Sequence, residues 1–468
     1  MSNRRFVVLG GGESGVGAAL LAKEKGFEVF LSDFGSLHDA HRETLQLHGI
    51  DFEEGRHTEA RILQAVEVVK SPGIPDSAPI VRAIRERGIP VISEIEFASR
   101  YTDAKIICVT GSNGKSTTAS LIHHILKSAG LNVALAGNIG KSFARLVVED
   151  EFEYYVLELS SFQLEGVYDF KADIAVLLNI TPDHLDRYGN DLQRYIDAKM
   201  RIIRNQEVND ALIYWIDDPI LNREIERLKP KATRYPFGAT KPFGTTNLLG
   251  VNNLHEPNTA FDLNVQLAGY VDGGKLWIDV KEERFDMELE LLALEGMHNV
   301  YNSLASGIVA KLMDITDEQL RASLSDFKGI PHRLENVATV RGVLYVNDSK
   351  ATNVNSCWYA LQSTRSKTVL ILGGKDKGND YTEIEELVLT KVRALIFLGK
   401  DNSRLHAFFD GKIDTIVDTD SMKEAVNSAY ELAQKGDTVL LSPCCASFDL
   451  FKNYEDRGDQ FKEHVRRL

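Results

Sequence analysis

The chain has 468 residues, of which 43% are hydrophobic and 26% charged, the balance of a globular protein with material for several cores. A formal net charge of −14 argues against nucleic acid or an anionic membrane surface as the main partner, although a locally basic cleft can still take an anionic ligand. No apolar run approaches the ~18 residues needed to span a bilayer, and the run Phe6 to Leu9 is too short for a secretory signal.

Taken in chain order, short β-branched runs alternate with helical patterns, the mark of parallel-sheet α/β architecture. The first predicted strand, Phe6–Leu9, closes on Gly10, Gly12 and Gly15 with G-x-G-x-x-G spacing. The second, Phe27–Ser32, ends at Asp33. That combination fits a dinucleotide, and equally any diphosphate placed at a helix start. A third strand, Val66–Lys70, runs into the turn Ser71-Pro72-Gly73, and Pro90–Ser93 completes the block.

The next strand, Ile106–Val109, leads through Gly111-Ser112-Asn113-Gly114-Lys115-Ser116-Thr117 into a helix predicted over Ser116–Ala129. The two glycines let backbone N–H groups curl around an anion, Lys115 adds a mobile positive charge, and Ser116 offers a hydroxyl to magnesium. These are the requirements of a nucleoside triphosphate. Val109 stands where the common P-loop has its first glycine, so the loop is the shorter Gly-x-x-Gly-Lys-Ser, and an ordinary strand–turn–helix corner is the plain alternative.

Strands are predicted at Val133–Ala136, Tyr154–Leu159, Ile174–Leu178 and Ala211–Ile216. Glu158 would sit at the carboxyl edge of a strand beside the phosphate loop, where a magnesium ligand belongs, or it is a solvated strand-end acid. Leu178 to Asp186 brings His184, flanked by Asp183 and Asp186, to the same edge, suited to a second metal or a substrate phosphate. Lys199, in a helical stretch, looks by itself like an ordinary helix lysine. From about Tyr235 to Ala293 the texture becomes that of an antiparallel β insertion with irregular loops, followed by a helix from about His298 to Met313. After the hinge candidate Gly329-Ile330-Pro331 come strands Leu344–Asn347, Thr368–Leu372, Ala394–Leu398 and Thr438–Leu441. The cysteines Cys108, Cys357, Cys444 and Cys445 lack metal-ligand spacing and read as reduced thiols of a cytoplasmic protein.

Set in order, Gly111 to Thr117, Gly137-Asn138-Ile139-Gly140, Leu157-Glu158-Leu159-Ser160-Ser161-Phe162-Gln163, Asn179 with Asp183-His184 and Asp186, and Ala198-Lys199 with Arg201 resemble the Mur ligases. The resemblance continues through Met297-His298-Asn299 with Asn302, His332-Arg333, Asn347 to Asn353, Gly373-Gly374 with Lys377-Gly378, and Leu441 to Asp449. It implies three α/β domains: a Rossmann-like UDP-substrate domain (1–95), a central P-loop-type ATP domain with a parallel sheet and an antiparallel insertion (96–329), and a Rossmann-like amino-acid domain (330–468). It implies ATP-dependent addition of D-glutamate to UDP-N-acetylmuramoyl-L-alanine through an acyl phosphate, in peptidoglycan precursor synthesis, by a cytoplasmic monomer with two magnesium ions.

By the same resemblance, Gly111, Ser112, Asn113, Gly114, Lys115, Ser116, Thr117, Asn299, Asn302, Arg333 and Asp348 would bind ATP. Gly12, Ser14, Asp33, Ser71, Pro72, Gly73, Asn138 and His184 would meet the UDP-sugar. Lys350, Thr352, Lys377, Ser447, Phe448 and Tyr454 would form the D-glutamate pocket. Lys115, Glu158, His184 and Lys199 would be catalytic, with Ser116, Glu158, His184 and a carbamylated Lys199 around the metals. The family tends to carry Thr-Arg after the acid of the second strand, where this chain has Phe34 and Gly35. Three other readings are a folate-polyglutamylating ligase, an NAD-dependent oxidoreductase built on Gly10, Gly12, Gly15 and Asp33, and a nucleotide-gated binding module.

Overall fold

The computed structural model describes residues 5–149, 151–239, 266–294, 296–376 and 378–468. The chain divides into two compact units, 1–292 with 299–327, and 293–298 with 328–468.

The first unit contains two sheets. In the first, strands β1 (Arg5–Leu9), β2 (Glu28–Ser32), β3 (Asp51–Glu53), β4 (Glu67–Lys70) and β5 (Val91–Ile92) run parallel in the order β3-β2-β1-β4-β5. The order reverses at β1, and a doubly wound sheet binds ligands at the carboxyl ends of its strands beside such a reversal. Gly15, in the helix Glu13–Glu24, lets that helix approach closely: a Cβ there would lie 1.9 Å from the Gly10 carbonyl oxygen. The short β3 carries too few apolar residues to stand out in the sequence.

The second sheet joins nine strands among the described residues: β6 (Lys105–Thr110), β7 (Val133–Gly137), β8 (Tyr154–Glu158), β9 (Ile174–Leu177), β10 (Ala211–Trp215), β11 (Thr233–Phe237), β12 (Gly269–Asp272), β13 (Lys275–Val280) and β14 (Glu283–Glu288), in the order β14-β13-β12-β11-β10-β9-β6-β8-β7. β11 still pairs parallel with β10, and the antiparallel strands expected in this region are the meander β12–β14, hydrogen-bonded onto the same sheet. Much of the stretch read as irregular loop, 240–265, lies outside the described residues. The central strands are buried on both faces, which is why they read as continuous apolar runs.

A buried carboxylate fastens the two sheets of this unit together. Glu94, 2% exposed, follows β5 and accepts the Ala144 N–H at the start of the helix Phe143–Glu149. Its second oxygen has no partner among the described residues. Burial, aided by the nearby charge of Glu13, pushes its carboxyl up to about 8, against the backbone bonds from Ala144 and Phe143. No helix among the described residues is long and apolar enough to cross a membrane.

The second unit holds β15 (Glu335–Val340), β16 (Val343–Asn347), β17 (Thr368–Gly373), β18 (Val392–Leu398), β19 (Ile416–Thr419) and β20 (Thr438–Cys444), ordered β15-β16-β20-β17-β18-β19. Among the described residues, β15–β16 is the one antiparallel strand pair of this sheet. The half-exposed edge strands β15 and β19 were not expected from the sequence, because neither is apolar enough to be told from loop.

Because the Glu94 carboxyl is raised above its unfolded value, the folded protein holds this proton more tightly than the unfolded chain does. The associated stability is present below about pH 4.5 and is lost as pH rises through about 8. Glu94→Gln keeps an acceptor for the Ala144 N–H and removes the titration. In urea unfolding at pH 9 it is expected to exceed the wild type by on the order of 3–5 kcal/mol, an advantage that shrinks towards pH 5.

Candidate active site

Hydrogen-bond register brings four strand ends of the central sheet level with one another. Val109 on β6 pairs with Glu158 on β8, Gly137 on β7 pairs with Glu158 from the other side, and Thr110 pairs with Leu177 on β9. The phosphate loop, Glu158, Asn138 and the segment from Asn179 to His184 therefore leave the sheet at one edge.

The loop itself is held from below. Gly114 caps the helix Lys115–Ser128 with φ of +85°, and a Cβ there would lie 2.6 Å from Oδ1 of Asn302. Asn179 clamps the turn: its Oδ1 accepts the Asn113 N–H at 2.8 Å, and its Nδ2 donates back to the Asn113 carbonyl at 3.1 Å. Ser112 Oγ lies 2.8 Å from the Tyr195 hydroxyl and accepts the Thr181 N–H at 2.9 Å. Asn302, 5% exposed, accepts from Thr118 Oγ1 at 3.1 Å and donates to Asn299 Oδ1 at 3.1 Å. The family roles gave Asn299 and Asn302 to the nucleotide; here their side chains also brace the base of the phosphate loop.

Two lysine amines converge on one carbonyl. Lys115 Nζ donates to the Gly111 oxygen at 2.9 Å and to the Ser112 oxygen at 2.8 Å, and Lys199 Nζ donates to the same Gly111 oxygen at 2.7 Å. Lys199 is 1% exposed and lies over the Tyr195 ring. Burial and then the positive charge of Lys115 drive its amine well below the usual lysine range, against Asp183 and Glu158. A buried amine beside a second amine favours its neutral, nucleophilic form.

Glu158 is 1% exposed. Asn138 Nδ2 donates to one of its oxygens at 2.9 Å, while the other is buried with no partner among the described residues, as is Thr117 Oγ1. An uncompensated buried carboxylate oxygen beside a phosphate loop is what a hard cation needs, and the surrounding donors are oxygens. Among the described residues no group of three or more His, Cys, Asp or Glu gathers, so hydroxyl, carbamate or phosphate oxygens would complete the ligand set. His184 has a left-handed backbone, φ 52°, and its ring, 39% exposed, rests 5.2 Å from that of Phe162.

At the first sheet, Gly12 caps the helix Glu13–Glu24 with open space beside it, and Ser14 lies in its first turn. Asp33 accepts the N–H groups of Gly11 at 2.5 Å and Gly35 at 2.7 Å, so its carboxylate shapes the glycine turn. Ser71 Oγ reaches the Gly10 carbonyl at 3.4 Å, and the turn through Pro72 and Gly73 is tied down by Arg187, which donates to the Gly73 and Ile74 oxygens.

In the second unit, Asp348 is 2% exposed; it accepts from Ser442 Oγ at 2.9 Å and from the Leu334 N–H at 3.2 Å. Burial pushes its carboxyl up to about 6, against the charge of Arg333 and the bonds from Ser442 and Leu334. Arg333 Nε is buried without a hydrogen-bond partner among the described residues. The Lys350 amine lies 5.2 Å over the Tyr454 ring, Ser447 is buried, Thr352 is partly exposed, and the Phe448 side chain is 69% exposed. Lys377 lies outside the described residues. A cavity of about 490 Å³ opens beside this cluster, lined by Gly374, Lys375, Cys445 and Phe448 among others.

One organising residue escaped the sequence reading. Arg457, 1% exposed, donates from Nε and Nη2 to Ser349 Oγ and the Ser349 carbonyl at 2.9 and 2.8 Å, and from Nη1 to the Cys445 carbonyl at 3.1 Å. It joins the loops after β16 and β20, but in sequence it is one charged residue among many in the polar helix Tyr454–Val465. Asn179 carried a weak signal as a polar residue at a strand end.

Comparison with known proteins yields family matches along most of the chain. Residues 5–79 match the MurD N-terminal domain, 109–310 the Mur ligase middle domain, and 332–445 the Mur ligase glutamate ligase domain. The UDP-N-acetylmuramoylalanine–D-glutamate ligase of Bacteroides fragilis is 60% identical over 466 residues, covering 99% of this chain and 100% of the relative. The protein of that name from Porphyromonas gingivalis is 56% identical over 99% and 98% of the two chains. Among solved structures, the UDP-N-acetylmuramate–alanine ligase MurC of Thermotoga maritima has a similar fold, with TM-score 0.61 at 16% identity over 99% of both chains. The MurF ligase of Thermotoga maritima in complex with ADP gives 0.59 at 17% identity, over 94% of this chain and 95% of that one.

Replacing Arg457 with leucine strips partners from two buried carbonyls and the Ser349 hydroxyl. Urea unfolding of Arg457→Leu should show a loss of about 1–3 kcal/mol or more, whereas a change below about 0.5 kcal/mol would show that Arg457 does not hold these loops.

Proposed function

The chain belongs to the Mur ligase family, and we propose that it joins D-glutamate to UDP-N-acetylmuramoyl-L-alanine at the expense of ATP, in the assembly of peptidoglycan precursors. The observation that carries this reading is the buried Glu158, with one orphaned oxygen, level with a phosphate loop whose Gly111 carbonyl holds two lysine amines. The chain and its D-glutamate ligase relatives match along their whole length, which supports the same substrates here. An oxidoreductase would use the first glycine turn and leave the second without a task.

The chemistry follows from the poor electrophilicity of a carboxylate. The carboxylate of the alanyl substrate attacks the γ-phosphorus of ATP, ADP departs, and an acyl phosphate forms. The amine of D-glutamate then attacks the acyl carbon, loses a proton, and expels phosphate through a tetrahedral intermediate. The first step brings like charges together, at about 4 kcal/mol per pair at ~4 Å and an effective dielectric near 20. Lys115, on a mobile stem at the loop, offsets that repulsion, and backbone N–H groups at the start of the helix Lys115–Ser128 cradle phosphate oxygens.

Residues 1–95 serve the UDP moiety through Gly12, Ser14, Asp33 and the Ser71–Gly73 turn. Residues 96–329 serve ATP through Gly111 to Thr117, Asn299 and Asn302, with Asn138 and His184 towards the sugar. Residues 330–468 contribute Arg333 and Asp348 to the nucleotide, and Lys350, Thr352, Lys377, Ser447, Phe448 and Tyr454 to D-glutamate. Magnesium, in up to two sites held by Ser116 and Glu158 and by His184 and a carbamate on Lys199, would supply Lewis-acid polarisation of phosphate oxygens. The neutral Lys199 amine attacks the carbon of CO2, one C=O electron pair moves to oxygen, and the nitrogen releases a proton. The result is an anion beside Lys115, so a neutral amine next to a cation becomes an attractive pair. Cytoplasmic nucleotide substrates support a cytoplasmic enzyme, and the proposed form is a monomer.

Purified protein given ATP, UDP-N-acetylmuramoyl-L-alanine and radiolabelled D-glutamate should incorporate label with one ADP released per bond. Equal ATP consumption with both partner substrates absent, or incorporation of a different amino acid only, would refute the assignment. Lys199→Ala should lower turnover on the order of 100-fold, with partial recovery on adding short-chain carboxylic acids. Full turnover without them would remove the carbamate from the mechanism.

A further inference from the structure

The first sheet carries a polar relay beside the diphosphate loop. Ser32, the last residue of β2 and fully buried, places its Oγ 2.8 Å from Oε1 of Glu53 and 2.7 Å from Nδ1 of His57. Glu53, the last residue of β3, also accepts the N–H and O–H of Thr58 at 2.7 and 2.5 Å, and Arg56 lies 3.4 Å away. Burial pushes the Glu53 carboxyl up, but the bonds from Thr58 and Ser32 and the charge of Arg56 outweigh it and hold it below the usual range. Glu53 is therefore ionised and can only accept. The single Ser32 proton goes to the ionised Glu53 at 2.8 Å rather than to the more distant Arg56 carbonyl at 3.3 Å, and the Ser32 oxygen accepts from His57 Nδ1–H.

That assignment leaves a lone pair on Nε2 of a neutral His57, and Nε2 has no hydrogen-bond partner among the described residues. Burial lowers the imidazole below its usual range, opposed by Glu53 and Asp33, the acids that face it from β3 and the end of β2. The ring centroid lies 5.8 Å from that of Phe34, which directly follows Asp33 and is 74% exposed. An aromatic face open to solvent beside an unused acceptor is a base-binding pair.

Its place in the sheet matches the reach of a nucleoside diphosphate. From β1, whose loop leads to the open helix start at Gly12, β2 and then β3 follow at about 4.8 Å intervals. A diphosphate at Gly12 puts the ribose near the end of β2, the strand that Asp33 and Phe34 directly follow. On the opposite side, the carbonyls after β4 are taken: Arg187 holds those of Gly73 and Ile74, and Lys70 Nζ also donates to Ile74.

We propose that Phe34 and His57 read the base of the uridine diphosphate substrate, Phe34 by stacking on it and His57 by accepting uracil N3–H at Nε2, with Ser32 and Glu53 as positioning residues that fix the tautomer. Cytosine presents a lone pair at N3, which would face the lone pair of Nε2. The inference rests on the uridine-linked substrate proposed above and adds the residues that select its base.

The test compares KM for UDP-N-acetylmuramoyl-L-alanine and its cytidine analogue in the full-length wild type, Phe34→Ala and His57→Ala. The wild type should prefer uridine by roughly tenfold or more. His57→Ala should lose that preference through the KM for the uridine substrate, while the KM values for ATP and D-glutamate stay within about twofold of wild type. Phe34→Ala should raise KM for both nucleotides by roughly tenfold, since stacking tolerates either base. As pH falls below the usual imidazole range, the wild-type KM for the uridine substrate should climb, because Nε2 gains a proton and meets N3–H donor to donor, and His57→Ala should show no such climb. A retained uridine preference in His57→Ala overturns the proposal. Should that variant not fold, Phe34→Ala, altered at an exposed position, and the wild-type pH profile decide, and an unchanged KM in both overturns it. If the wild type shows no ligase turnover, the functional reading falls on its own, and titration of the same proteins with UDP and CDP still tests the base pair: equal wild-type affinity for both overturns it.

Discussion

The Gly111 carbonyl oxygen, shared by the amines of Lys115 and Lys199, is the point around which the rest of the first unit is arranged. Two ammonium groups cannot both be buried there at acceptable cost, so one amine must give up its proton or change its charge. Lys199, the more deeply enclosed, is the one whose charge yields. The arrangement exists only because four parallel strands end in register, and because glycines at 111 and 114 allow backbone conformations that a side chain would obstruct.

Around that point the protein spends buried polar groups freely. Asn179, Ser112, Tyr195 and Asn302 are engaged in holding a six-residue turn, each through hydrogen bonds to neighbouring protein groups. Glu158 and Thr117 are the exceptions, each with an oxygen left without a partner among the described residues. Orphaned buried oxygens are costly unless something with positive charge or donors completes them. The second unit shows the same contrast: Arg457 satisfies backbone carbonyls of two loops, while Arg333 has, among the described residues, no partner for its Nε beside Asp348.

The first sheet follows another logic. Asp33, placed where dinucleotide folds carry a ribose-binding acid, gives one carboxylate oxygen to the Gly11 N–H of the glycine turn and the other to the Gly35 N–H of its own loop. Ser32 ends β2 while Glu53 and His57 lie at and just after the end of β3, and the contact between the two strands cannot be read from spacing along the chain.

The phosphate loop, the strand-end position of Glu158 and the alternation of strand and helix were legible in the sequence, because backbone geometry near a turn depends on glycine placement and because strands buried on both faces must be apolar. The short strands β3, β15 and β19 were not, since their stability comes from pairing with neighbours rather than from their own composition. Lys199 shows the division most plainly. Its local sequence is that of any helical lysine, and only the fold, by burying its amine against Gly111 and Lys115, alters its charge. Local conformation is written in nearest neighbours along the chain, whereas desolvation and the pairing of charges belong to groups that folding alone brings together.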